Sequence, residues 1–271
     1  VIGRVLVIAG SDSGGGAGLQ GDIKTITAFG AFAATAVTAI TVQNTLGVTG
    51  AHPIPVDVVI AQARAVHEDI GVDVVKTGML GEADVVRAVA DWLRETKLPA
   101  VIDPVMIAKG GHPLLAETAL TALRDNLISE AMLLTPNTPE AAALTGRPVE
   151  TEADMRAAAQ DLLAMGAKAV LMKGGHIEGD HLVDLLVTRD DELRFEGRRI
   201  ATRHTHGTGC TLASAVAAGL ANGRSLTEAV AEARAYVVEA IRTAPGFGAG
   251  HGPLDHAFPL RRAAEMIRNR D

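Results

Sequence analysis

A single cysteine, Cys210, stands among 271 residues. It permits neither an intrachain disulfide nor a cysteine-built metal cage, and a reducing compartment is the expected setting. Aromatic residues are nearly as scarce, at one Trp, one Tyr and five Phe. With hydrophobic residues at 48% of the chain, the core has to be packed from aliphatic side chains and alanine. Long apolar runs are missing too. The longest stretch without Asp, Glu, Lys or Arg, residues 25–56, is broken by Thr27, Gly30, Thr35, Thr38, Thr41, Gln43, Asn44 and two prolines. It falls short of the roughly 20 apolar residues that a membrane helix needs. Positive charge is in deficit, 25 basic against 32 acidic residues for a net −7. That disfavours a nucleic-acid surface while leaving room for a local phosphate pocket. VLVIAG at 5–10 runs into an acidic, glycine-rich turn, which argues against a signal peptide, and a cytoplasmic location is expected.

What is abundant is glycine, with 29 residues, in a chain that alternates strand and helix. Strands are predicted at 5–10, 34–42, 72–78, 100–103, 132–135 and 169–175. Helices are predicted at 19–29, 55–70, 82–95, 116–128, 139–144 and 152–165. LVDLLVT and ELRFEG, between 182 and 203, read as a hairpin beside a mainly parallel sheet, and helices return at 210–221, 226–243 and 259–269. No composition break marks a linker, so one α/β domain of helix–sheet–helix layers over 1–271 is expected, with ligands outside the carboxyl ends of the strands.

Two glycine-rich segments fall at such ends. In GSDSGGGAGLQGD (10–22), Gly16, Gly18 and Gly21 satisfy GxGxxG. The acid expected of a dinucleotide site is replaced after the next strand by Gln43 and Asn44, so an NAD site is disfavoured. A tight turn or a small-molecule clamp near Asp12, Asp22 and Gln43 are the open readings. In HTHGTGCTLASAVAAGLANG (204–223), Gly207, Thr208, Gly209 and Cys210 enter an alanine-rich helix whose first N–H groups converge as on a phosphate. The alternative is an ordinary N-cap. No GxxxxGK[ST] exists, so a P-loop is excluded, and no HExxH suggests zinc. Further polar residues lie at strand exits: Lys76 and Met79 in VVKTGML, Asp103 in VIDPVM, Asn137 and Glu140 in TPNTPEAAAL, and Lys173 in LMKGG. Asp103 or Glu140 suits a hydrated Mg²⁺ with phosphate, or serves as a turn or cap.

Taken together, GSDSGGGAGLQGD, TVQN, KTGML, DPVM, TPNTPEA, LMKGGH and HTHGTGCT closely resemble the bifunctional hydroxymethylpyrimidine kinase and phosphomethylpyrimidine kinase family of thiamine biosynthesis, of ribokinase-like fold, over residues 5–256. The resemblance implies ATP-dependent phosphorylation of 4-amino-5-hydroxymethyl-2-methylpyrimidine to its monophosphate and then its diphosphate, with Mg²⁺. It places Asp22, Gln43, Gly10, Ala17, Met79 and Val105 about the pyrimidine. Asp103 and Glu140 fall around Mg²⁺ and the nucleotide phosphates, with Asn137, Lys173 and Thr208 on the nucleotide side. Gly207, Thr208 and Gly209 form the anion hole with Cys210, which stands where many ribokinase relatives carry a catalytic Asp; a base or proton-positioning role in the first transfer is implied. Relatives are often dimeric, which makes a homodimer an option. Glycines near 246–250 and the 175–181 turn are candidates for site closure. The alternatives are a pyridoxine or pyridoxal kinase, sharing fold, ATP and Mg²⁺, and a silent nucleotide-binding regulator that binds ligand without turnover.

Overall fold

The computed structural model describes residues 2–106, 114 and 116–268. Nine strands form one sheet: β1 (Arg4–Asp12), β2 (Phe32–Asn44), β3 (Gly47–Pro53), β4 (Val74–Thr77), β5 (Ala100–Ile102), β6 (Ala131–Leu134), β7 (Ala169–Lys173), β8 (His181–Thr188) and β9 (Glu192–Arg198). Their order is β3-β2-β1-β4-β5-β6-β7-β8-β9. The six strands from β2 to β7 in that row run parallel, while β3 at one edge and the β8–β9 hairpin at the other are antiparallel additions.

The parallel strands read as near-continuous apolar runs because both their faces are buried. Side chains alternate between the two faces. Leu6, Ile8, Val75, Ile102 and Leu134 enter one core with helices α2 (Val56–Asp69), α3 (Ala83–Thr96), α4 (Glu117–Ala122), α5 (Thr138–Thr145) and α6 (Glu152–Ala164). Val5, Val7, Val74, Val101 and Leu133 enter the other, with α1 (Gly18–Ala28), α7 (Thr208–Ala221) and α8 (Leu226–Arg242). Phe258, which opens α9 (Phe258–Arg268), packs at the margin of this second core. This is the three-layer, mostly parallel architecture expected of a ribokinase-like fold.

Small residues make the second layer thin. On α7, Thr211 through Gly219 are all buried. A side chain at Gly219 would come within 3.0 Å of Ala229 Cβ on α8. Close packing there explains how the chain fills a core with so few aromatics.

Two local outcomes differ from the sequence expectation. The helix expected over 116–128 is α-helical only as α4; it continues as a π-helical turn, Leu123–Leu127, and a 3-10 turn, Ile128–Glu130. Strand β3 has no counterpart among the predicted elements, because GVTGAHP carries two glycines and a proline and lacks apolar alternation. Its pairing comes from β2, across an Asn44–Gly47 turn in which Asn44 Oδ1 accepts a hydrogen bond from Leu46 N.

From β1 the chain moves to β2 on one side and then to β4 on the other. The crevice at this switch lies beyond the carboxyl ends of the strands, where side chains from many sequence positions converge.

Candidate active site

A cavity of about 1130 Å³ opens over those strand ends. Its rim includes both glycine-rich segments, which pack directly on each other. Gly207 has φ +84°, and a side chain there would strike the carbonyl of Gly16. Gly18 has φ +53° and lies in the same way against the carbonyl of Gly10. Only glycine satisfies both demands, a left-handed backbone and a backbone neighbour.

Asp12, at the end of β1, organises the first loop. Its carboxylate accepts hydrogen bonds from the N–H groups of Gly14, Gly16 and Ala17, and His206 Nε2 lies 2.9 Å away. Burial opposes the charge, but His206 and the backbone donors hold this carboxyl below the usual range. The GxGxxG glycines are consumed in the same packing: Gly16 abuts His206 and Pro253, and Gly21 abuts Gly16. The NAD reading finds no support in that arrangement.

Of the residues expected about the ring, Gly10, Ala17, Gln43, Met79 and Val105 line the cavity. Gly10 leaves room for Met79, whose sulfur lies 3.1 Å from where a Cβ would stand. Asp22 does not join them. It is fully buried on α1, and its two oxygens accept hydrogen bonds from Lys76 Nζ at 2.9 and 2.8 Å and from Ser214 Oγ at 2.7 Å. The carboxylate expected at the ring is thus engaged in an ion pair with Lys76, whose own side chain lies at the cavity. Given no role by the sequence, this lysine stands within a strand, VVKT, that is buried at every position. Burial weakens its hold on a proton, but the Asp22 carboxylate and, farther off, Asp103 more than compensate, and its ammonium stays charged.

Asp103, Asn137, Glu140 and Lys173 line the same cavity. Lys173 Nζ lies 3.1 Å from Asp103 Oδ1 and 3.8 Å from Glu140 Oε2. Asn137 and Glu140 form a capping box on α5, each side chain accepting from the other's backbone N–H at 2.8 Å. Such a cap contributes about 1 kcal/mol, and here it also fixes the Glu140 carboxylate at the cavity wall. Burial holds Glu140 well above the ordinary carboxylate range, against the pull of Lys173. Among the described residues, Asp103 Oδ2 and Glu140 Oε1 make no hydrogen bond, so each carboxylate keeps one oxygen for a ligand.

Gly207, Thr208, Gly209 and Cys210 all line the cavity. A side chain at Gly209 would meet Lys173 Nζ at 3.2 Å and Asp103 Oδ2 at 3.7 Å. The helix start, the ammonium and the carboxylate therefore share one small volume, suited to an anion accompanied by a cation. Thr208 turns back on Thr205, its hydroxyl donating to Thr205 O at 2.8 Å and its backbone N–H to the same oxygen at 3.4 Å. Desolvation pushes the Cys210 thiol up to about 12, with Lys76 opposing and Asp22 and Asp103 assisting. A thiol in that state is no preformed nucleophile or base at neutral pH.

Behind the first turn of α7, Thr211 Oγ1 and buried His256 Nε2 are 3.0 Å apart, and Tyr236 donates its hydroxyl proton to His256 O. Burial, aided by the charge of Lys24, lowers His256 to about 4. The unfolded chain therefore binds a proton more readily than the fold between about 6.5 and 4. Stability is complete above the upper value and is expected to fall by on the order of 3 kcal/mol as pH drops through this window. Urea titrations at a series of pH values check this: His256→Gln should flatten the slope, and an unchanged slope would remove His256 as its source.

The two segments expected to allow closure are tied down differently. The Arg199 guanidinium donates to the carbonyls of Gly175, Ile177 and Gly179, stapling the β7–β8 connection. Gly248 and Gly250 pack against Thr45 at the β2–β3 turn. Among the described residues, no helix is long and apolar enough to cross a membrane, and no group of three or more His, Cys, Asp or Glu side chains is placed to hold a metal by itself.

Residues 12–255 match the family described as phosphomethylpyrimidine kinase. A hydroxymethylpyrimidine/phosphomethylpyrimidine kinase of Streptomyces coelicolor is 51% identical over 256 residues, covering 94% of this chain and 95% of its own. Among solved structures, an ADP complex of Bacillus subtilis pyridoxal kinase superposes with a TM-score of 0.89 at 37% identity, over 96% of this chain and 99% of that one. Phosphomethylpyrimidine kinase of Clostridium difficile gives 0.80 at 39% identity, over 89% of this chain and all of that one.

Proposed function

The chain belongs to the phosphomethylpyrimidine kinase family, and we propose that it acts as one ribokinase-like domain. Its reaction is transfer of the γ-phosphoryl group of ATP to 4-amino-5-hydroxymethyl-2-methylpyrimidine and then to the resulting monophosphate. The observation that carries this reading is the shared volume at the start of α7, where Lys173, Asp103 and the helix entry meet. It lies in the same cavity as Gln43 and Met79.

In the first transfer the hydroxymethyl oxygen attacks the γ-phosphorus in line. The new O–P bond forms as the bond to the β-phosphate bridging oxygen breaks, and ADP leaves. Charge on the transferred group is received by N–H groups at the entry to α7 and by the Lys173 ammonium. Asp103 and Glu140, each with one oxygen free of hydrogen bonds among the described residues, would hold a hydrated Mg²⁺ beside the nucleotide phosphates. When bound, that ion supplies neutralisation of phosphate charge. Asn137 fixes Glu140 for this task, and Thr208 and Lys173 border the nucleotide.

In the second transfer the nucleophile is a phosphate oxygen, already ionised. The first nucleophile is a neutral alcohol; the Cys210 thiol, protonated at neutral pH, would orient its proton rather than remove it as a standing thiolate. Cys210→Ala is therefore expected to slow the first transfer about 10²-fold and the second far less. Single-turnover assays with each acceptor measure the two separately, and equal losses would eliminate this role.

A second reading, phosphorylation of a pyridine alcohol, draws on the 0.89 TM-score to a pyridoxal kinase. Comparing kcat/KM for hydroxymethylpyrimidine, its monophosphate and pyridoxal separates the two. The proposal requires both pyrimidines to be preferred; preference for pyridoxal would replace it.

A further inference from the structure

His206 sits between the two glycine-rich loops, immediately before Gly207, and is buried. Its Nε2 lies 2.9 Å from Asp12 Oδ2 and 3.3 Å from the Gln43 side-chain nitrogen. These two neighbours make incompatible demands. Asp12 accepts from three backbone N–H groups and is held ionised, so a short contact to it needs a proton on Nε2. A proton there cannot also face an amide NH₂.

The other side of Gln43 poses the same conflict. Thr41 Oγ1 lies 2.8 Å from Ser11 O and 3.2 Å from the Gln43 side-chain oxygen. A hydroxyl has one proton, and the shorter contact, to Ser11 O, claims it. Toward Gln43, Thr41 is then an acceptor and needs a donor opposite. Half a turn of the Gln43 amide resolves both conflicts together, bringing Oε1 to His206 and Nε2 to Thr41. The backbone cannot shift to provide another solution, since Ser13 Oγ donates to Gln43 O at 2.8 Å and accepts from Gln43 N at 2.9 Å.

We propose that His206 is a positioning residue for ring recognition: by donating Nε2–H to Asp12 it obliges Gln43 to turn its amide oxygen toward His206 and its NH₂ toward Thr41. The cavity then meets its substrate with one fixed order of acceptor and donor. A 4-aminopyrimidine carries an amine beside an acceptor ring nitrogen, a donor–acceptor pair of the kind a glutamine amide binds in adenine. A pyridine alcohol of the pyridoxal type has no such pair. The inference rests on the reading that Gln43 contacts a pyrimidine acceptor.

The test uses the full chain and two substitutions. His206→Phe keeps a flat ring against Gly16 and Pro253 and removes the donor; His206→Gln restores an N–H able to reach Asp12. With H206F, KM for hydroxymethylpyrimidine is expected to rise about tenfold, the worth of one hydrogen bond. KM for ATP and kcat should stay within about twofold, and preference for the pyrimidine over pyridoxal should fall by the same tenfold factor. H206Q should recover most of the KM.

A general loosening of the fold would instead change kcat, both KM values and Tm together, without rescue by H206Q, and would overturn the inference. So would an unmoved pyrimidine KM in H206F. If the wild-type chain does not phosphorylate the pyrimidine at all, the functional reading fails and the inference falls with it. Wild-type turnover with an unmoved KM in the variant defeats the inference alone.

Discussion

Replacing Lys76 with methionine is expected to destabilise the fold by about 3–5 kcal/mol, because it leaves the Asp22 carboxylate buried with Ser214 as its remaining side-chain donor. Both members of this pair have no exposed side-chain surface. The pair joins three elements at the site-facing end of the second layer: α1 through Asp22, β4 through Lys76 and α7 through Ser214. An ion pair this deep is costly to desolvate, so its removal as a unit is far cheaper than its removal by halves. The double substitution Asp22→Leu with Lys76→Met should therefore regain most of the lost stability. Equilibrium urea unfolding of the wild-type, single and double variants gives the coupling directly. A single K76M loss below about 1 kcal/mol, the value for an exposed pair, would show that the charge is not sealed as described.

The largest expected effect on catalysis is at Lys173. Lys173→Met is expected to lower kcat/KM by about 10²–10³-fold, the range found when one preorganised donor to a developing oxyanion is removed. Its ammonium is mostly buried beside Asp103 and stands within reach of Gly209 at the helix entry. Lys173→Arg should restore little, because a planar fork does not occupy the place of a compact ammonium between two carboxylates. Steady-state assays with ATP varied at saturating acceptor check the expectation. A fall of less than tenfold would assign Lys173 to holding Asp103 and Glu140 apart rather than to the transferred phosphoryl group.

Much of this arrangement was legible in the order of residues. The strand and helix alternation is carried by apolar periodicity, and the glycine segments mark strand exits. The weakly patterned elements were not legible: β3 owes its pairing to β2, and the π-helical turn after α4 reflects tertiary packing that no local signal encodes. The same division holds in the site. Gly10, Ala17, Gln43, Met79 and Val105 do converge on the cavity. Asp22 was placed about the pyrimidine by the family resemblance, and nothing local reveals that Lys76, 54 residues later, takes up its charge. The signal that existed was Lys76 itself, an ionic residue inside a strand buried at every position. His206 and Asp12 lie in separate loops 194 residues apart, and their contact forms where Gly207 packs on Gly16.

The most direct measurement incubates the chain with ATP, Mg²⁺ and 4-amino-5-hydroxymethyl-2-methylpyrimidine and follows products by mass spectrometry over time. The expected result is a first phosphoryl increment that rises and then falls as a second accumulates, with one ADP formed per increment. ATP consumed without any increment on the pyrimidine, or a pyridine alcohol phosphorylated while the pyrimidine is left untouched, would contradict it.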